Sequence, residues 1–120
     1  MSMIDTPLMR GMERVLDFSA FRHQIIASNL ANIDTPGYRT RDLRPFSGDI
    51  EQAMAGEQLP FTPIAHEIGG LMERPDGNNV SVERESLLLA QNQLRFEVAV
   101  AFLKSEFHQM SAAISGGSTS

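Results

Sequence analysis

The sequence predicts an all-α protein in which two long amphipathic helices, one near each end of the chain, pack antiparallel as a coiled-coil-like pair joined by a long, mostly irregular loop. Three observations predict it. Apolar residues recur at helical spacing from Leu8 to Ile33. From Val82 to Ser115 the chain carries no proline or glycine and repeats its apolar residues in steps of three and four. Every proline except Pro7, and most of the nine glycines, lie in the stretch between.

The first unit spans residues 1–43. Asp5 or Thr6 can cap a helix start, and Pro7 suits the first helical position because its missing N–H would be unpaired there anyway. Leu8, Met12, Val15, Ile26, Leu30 and Ile33 fall in one narrow sector of the helical wheel. Phe18, Phe21 and Ile25 widen it on one side, Met9 and Leu16 on the other. The apolar surface then covers about half the circumference, more than the seam of a two-helix coiled coil needs. This helix calls for more than one neighbour.

Its exit reads SNLANIDTPGY, residues 28–38. Asparagine in a helix competes with the backbone for hydrogen bonds, and Asn29 and Asn32, three apart, share a face. Their carboxamides are placed to tie the Thr35–Tyr38 turn, or a neighbouring subunit, to the helix. Pro36 and Gly37 fit the two central positions of a type II turn. Tyr38, the only tyrosine, offers an apolar ring with a polar tip.

Residues 44–80 read as a Pro/Gly-rich linker. Asp49–Met54 suits one or two helical turns, and Leu59–Ile64, broken by proline, an edge strand or extended loop. The PDGNN run at 75–79 is a turn signal, since Asp, Gly and Asn accept the positive φ that reversals need.

The heptad helix covers 81–115, and its 82–114 stretch is about 50 Å long at 1.5 Å per residue. Phe96, Val100, Leu103, Phe107, Met110 and Ile114 form an a/d seam, which Val82 and Leu89 extend upstream. Leu87, Leu94, Val98 and Ala101 make a second apolar line on roughly the opposite face. One helix from the same chain covers one face, so the other points to intermolecular contacts. Residues 116–120 read as a flexible tail. Two helices are a thin core, and the free monomer is expected to be marginally stable or partly unfolded.

Composition removes most other functions. At 42% hydrophobic and 21% charged, the 120 residues are ordinary for a folded chain. A net charge of −5 with only 10 scattered Lys and Arg argues against a nucleic-acid partner. Zero cysteines removes disulfides and thiol chemistry. The N-terminus lacks the basic and apolar regions of a cleavable signal peptide, and no window is apolar enough for a membrane span. His23, His66 and His108 stand apart with no metal-ligand spacing. Glu83 and Glu85 suit a helix N-terminus better than acid/base work, and Ser28 lacks a nucleophile elbow. Gly69-Gly70 is not followed by the Lys-Ser/Thr of a phosphate loop, and the seven methionines suit adaptable packing. No catalytic residue, cofactor, metal or small-molecule substrate is expected.

Two stretches carry a resemblance. ASNLANIDTPGYRTRDL (Ala27–Leu43) resembles the N-terminal signature of the flagellar axial proteins, a Ser-Asn-apolar-Ala-Asn helix end running into a Thr-Pro-Gly-Tyr loop. DGNNVSVERESLLLAQNQLRFEVAVAFLKSEF (Asp76–Phe107) is similar to the C-terminal helix of the B-type proximal rod proteins. The chain is too short for the β-rich middle domain of hook and distal rod proteins, and it lacks the Arg-Ala-Tyr-x-x-Asn stretch of the C-type. Ser81 and Ser86 depart from the B-type pattern, where acidic and apolar residues are usual. The resemblance implies a structural subunit of the proximal flagellar rod in the periplasmic space, assembling with copies of itself and other rod and basal-body proteins. It also implies export through the flagellar type III apparatus without a cleaved signal. Leu8, Met12, Val15, Ile26 and Leu30 on the first helix would then face the seam of the second helix or a neighbouring subunit. On the second, Phe96, Val100, Leu103, Phe107 and Met110 would carry core packing, with Leu89 a further packing position, and Asn29, Asn32, Pro36, Gly37 and Tyr38 would shape an intersubunit loop. The competing reading from the residues alone is a soluble helical adaptor or type III secretion chaperone.

Overall fold

A computed structural model describes residues 6–43, 54–56 and 63–116. Helix α1 spans Pro7–Ala31. Thr6 caps it, with extended backbone and Oγ1 accepting the Met9 N–H at 3.1 Å, and Pro7 occupies the first turn. Helix α2 spans Val82–Gly116. Ser81 caps it by accepting the Arg84 N–H at 3.2 Å, and Glu83 and Glu85 sit where carboxylates favour the positive end of the helix dipole. Between the helices, strand β1 (Arg41–Leu43) pairs antiparallel with strand β2 (Ala65–Glu67), Asp42 opposite His66. The expected helical turns over Asp49–Met54 and extended run over Leu59–Ile64 lie mostly outside the described residues.

The helices run antiparallel. Met9 lies near Leu103 and Phe107, Ser19 meets Asn92, and Asn29 meets Glu85. The molecule measures 70 × 25 × 18 Å, and the two-helix, all-α expectation holds. Its 25- and 35-residue helices differ by about 15 Å in length, so α2 continues past the start of α1.

The buried apolar core is small: Met9, Phe18, Ile26, Leu43, Val80 and Ala99. On α1, Ile26 is fully buried, Met12, Val15 and Leu30 are half-buried, and Leu8 is exposed. On α2, the line facing α1 most squarely is Glu85, Asn92 and Ala99, seven residues apart. Leu89, Val100, Leu103 and Met110 flank that line half-buried, while Phe96 and Phe107 are exposed. Within one chain, α2 is therefore turned by roughly 45° from the phase that apolar spacing alone predicts. Two polar contacts to α1, described below, hold this phase. The second apolar line stands outward, with Leu87, Leu94, Val98 and Ala101 all exposed.

Candidate functional site

The densest arrangement of side chains is the joint where α1 exits and α2 begins. Asn29 is its centre and has no exposed surface. Its Nδ2 donates to the Arg41 carbonyl at 2.9 Å and to Glu85 Oε2 at 3.1 Å. Its Oδ1 accepts from Tyr38 Oη–H at 3.0 Å and from the Arg41 N–H at 3.1 Å. A carboxamide has two donors and two acceptor positions, and all four are used. Toward Arg41 the side chain behaves like the edge of a neighbouring strand, which aims β1 as it leaves the turn. Glu85 is completed by Arg84, whose guanidinium lies 3.0 Å from Oε1. The carboxylate is thus hydrogen-bonded on both oxygens, as burial requires.

The turn has the geometry its sequence demands. Tyr38 N–H closes onto the Thr35 carbonyl at 3.1 Å, and Gly37 takes φ +74°, open only to a residue without a Cβ penalty. Asn32 caps the end of α1: its Nδ2 donates to the Ser28 carbonyl at 2.8 Å and its Oδ1 accepts from Thr35 Oγ1–H at 3.0 Å. Pro36 stands exposed at the tip of this turn.

A second turn docks against the first. Pro75, Asp76 and Gly77 form a three-residue reversal in which Gly77 N–H bonds the Arg74 carbonyl and Arg74 N–H bonds the Asn78 carbonyl. Gly77 has φ +84°, the conformation a glycine supplies in a three-residue loop of this kind. Gly37 N–H then donates to the Asp76 carbonyl at 2.8 Å, locking one turn to the other. Asn78, also without exposed surface, shares its Nδ2 among the carbonyls of Asn32, Ile33 and Thr35 at 2.9–3.0 Å. These carbonyls lie at and just beyond the α1 terminus, where carbonyls lack intrahelical partners. Asn79 Oδ1 accepts the Thr40 N–H at 2.6 Å. Arg22 reaches from α1 to Asp42 in a bidentate pair at 2.8 and 3.0 Å, both side chains 13% exposed. On the rim, the Arg39 guanidinium pairs with Glu73, whose hydrogen bond pushes its pKa above the ordinary arginine value.

The joint therefore brings together Asn29, Asn32, Gly37 and Tyr38 of the candidate residues. The apolar candidates lie along the helices instead. Met9, Leu103 and Phe107 line an open apolar groove at the far end, and Phe96 lines a shallow cleft with Ser19, His23 and Asn92. Arg22, Asp42 and Asn92 carried no sequence expectation, Asn78 and Asn79 only that of turn formers, and Glu85 only that of a helix-start carboxylate. Asn92 and Glu85 had a usable signal: with Ala99 they form a seven-residue repeat beside the apolar one. Among the described residues no three His, Asp or Glu side chains converge as a metal site, and no helix is long and apolar enough to cross a membrane. The polar groups of the joint are committed to one another and to backbone, and the arrangement has the character of a fastening.

Known proteins place this fastening in a family. Residues 22–39, which include Asn29, Asn32 and the turn, match the profile described as flagella basal body rod protein. The flagellar basal body rod protein FlgB of Proteus mirabilis is 30% identical over 117 residues, covering 80% of this chain and 85% of that protein. FlgB of Salmonella typhimurium is 28% identical over 91% of this chain and 94% of its own length. FlgB of Bacillus subtilis is 26% identical over 90% and 93%. With these likenesses covering 80–91% of its length, this chain belongs to the FlgB family of flagellar basal body rod proteins.

Proposed function

We propose that this chain is a structural, non-catalytic subunit of the proximal rod, assembling with copies of itself and other axial proteins into a tube that transmits torque and surrounds the export channel. The observation that carries the reading is the outward stripe of α2. Leu87, Leu94 and Val98 are each about 60% exposed on the face turned away from α1. Apolar residues recurring along one face of a helix mark a surface that another protein covers. The open groove beside Met9, Leu103 and Phe107 extends the apolar surface at the far end of the pair. Leu8, Met12, Val15, Ile26 and Leu30 on α1, and Leu89, Phe96, Val100, Leu103, Phe107 and Met110 on α2, are the packing positions this reading assigns within and between subunits. Pro36 at its exposed tip, with Gly37 and Tyr38, presents a rigid turn to a neighbour.

Such a subunit reaches the periplasmic rod through the flagellar type III export apparatus, which passes loosely folded chains. The small buried core supports that route, because a marginal monomer gains apolar burial only as neighbours arrive. The test is complementation of a strain lacking its own FlgB. The chain is expected to sediment with purified basal bodies and restore swimming, and Leu103→Asp to abolish both. A chain that stays in the cytoplasmic fraction as a closed dimer would instead be an adaptor or chaperone.

A further inference from the structure

We infer that Glu85 and Asn92 are face selectors: they decide which side of α2 packs against α1, and so which apolar lines stay outward. α2 offers three apolar lines, through Leu89–Phe96–Leu103, Val100–Phe107–Ile114 and Leu87–Leu94–Val98. Packing by apolar area alone would turn one of these to the centre of the seam. The line at the centre is Glu85, Asn92 and Ala99, at 0%, 3% and 2% exposure. It is less apolar than any of the three, and buried polar groups are tolerated only where partners are built for them.

Those partners exist on α1 at two heights. Asn92 Nδ2 donates to the Ser19 carbonyl at 2.8 Å, with Ser19 itself 2% exposed. Glu85 accepts from Asn29 at 3.1 Å, and Asn29 is fixed in turn by Arg41 and Tyr38. Turning α2 by roughly 45°, so that Phe96 and Val100 point inward, would carry both polar groups off their partners. The two bonds thus specify a rotation that apolar content alone would not choose, the role a buried polar residue plays at a coiled-coil seam. Phe96, at 37% exposure, is held on the shoulder of the seam, and the outer stripe stays whole. The selection rests on intrachain geometry; its use in leaving surfaces for other subunits rests on the proposed function.

The chain contains no cysteine, so spin labels report rotation cleanly. The full-length chain carries one label at Gln24→Cys on α1 and a second at either Gln93→Cys or Arg95→Cys, positions on opposite flanks of α2. Distances are read by pulsed electron resonance in concentrated sucrose, which favours the packed state. In Glu85→Ala/Asn92→Ala, which removes both bonds without building a new apolar line at the centre, the 24–93 distance is expected to shorten and the 24–95 distance to lengthen, each by roughly 4 Å. Glu85→Gln, which keeps an acceptor for Asn29, is expected to leave both at their original values. Unchanged distances in the folded double variant would overturn the inference. So would loss of helix in both the double variant and Asn92→Ala alone, or an original chain with no defined distance. Swimming of the same variant is scored separately: a rotated α2 with normal motility leaves face selection standing and removes the assembly role of the outer stripe.

Discussion

The two ends of the helix pair are held by different forces. At the joint, Asn29, Thr40, Asp42, Asn78, Asn79 and Glu85 are all buried, and directional bonds fix the chain in one geometry. At the far end, no residue of α2 from Val100 to Gly116 is buried, and contact depends on half-covered apolar side chains. The contrast follows from what each force can do. Hydrogen bonds are lost steeply with distance and angle, so a polar network tolerates one arrangement. Apolar contact is proportional to area and nearly indifferent to orientation, so the open end can accept a partner's surface in place of its own. The joint defines the shape of the subunit, and the open end remains available.

The largest effect on this contrast is expected from Asn29→Ala. It leaves the Arg41 N–H, the Tyr38 hydroxyl and one Glu85 oxygen without their shared partner, the Glu85 oxygen in a residue with no exposed surface. Unpaired buried groups cost about 1–3 kcal/mol each, so the loss is on the order of 3 kcal/mol or more. Urea melts of the full chain in stabilising solute should show it, along with fast hydrogen exchange at Arg41. A variant melting within 1 kcal/mol of the original, at about that scale, would mean the network is ornamental. Asn78→Ala comes next, at about 2 kcal/mol, because the carbonyls it caps keep some access to water while the Val80 N–H loses its bond to Oδ1. Exchange at Val80 is the sharper readout.

These two asparagines also show what the sequence disclosed. Asn29 was conspicuous because an amide interrupts an apolar helical pattern, and the Pro-Gly pair after it announced its turn. Helix positions followed from periodicity. Asn78 was legible only as a turn former, since its three acceptors lie more than forty residues earlier and are backbone atoms, identical in every residue. The rotation of α2 was missed for a related reason. Hydropathy scores Glu85 and Asn92 as surface residues, and their burial depends on Asn29 and the Ser19 carbonyl supplying bonds at matching heights. Periodicity reports what a helix would bury alone and is silent about partners.

A smaller effect is expected where the joint stores a backbone requirement and no contact. Gly37 has φ +74°, yet a Cβ built there meets nothing within 4 Å. Gly37→Ala should therefore cost only the left-handed backbone penalty, about 1–2 kcal/mol, and Gly37→Val more, because branching at Cβ narrows that region further. If the two variants are equally stable, the turn has another way to close and the fastening is looser than its geometry indicates.

The smallest effect on stability, and the one that most sharpens the contrast, is expected from Leu94→Asp. Leu94 is 61% exposed on the outer stripe, away from both the joint and α1. A surface substitution of this kind shifts stability by no more than about 0.5 kcal/mol. Its melting should be indistinguishable from the original, and a free chain gains solubility from the added charge. In an assembling subunit the same carboxylate would be buried against a neighbour without a partner, at a cost that subunit contacts cannot absorb. Leu94→Asp is thus expected to separate the two properties: a chain as stable as before, exported as before, and absent from purified basal bodies. Normal incorporation would show that this stripe faces water in the rod and would move the subunit contacts to the groove beside Phe107. Loss of stability in the free chain would mean α2 already uses its outer face within the subunit, and the division between a fixed joint and an available helix face would have to be redrawn.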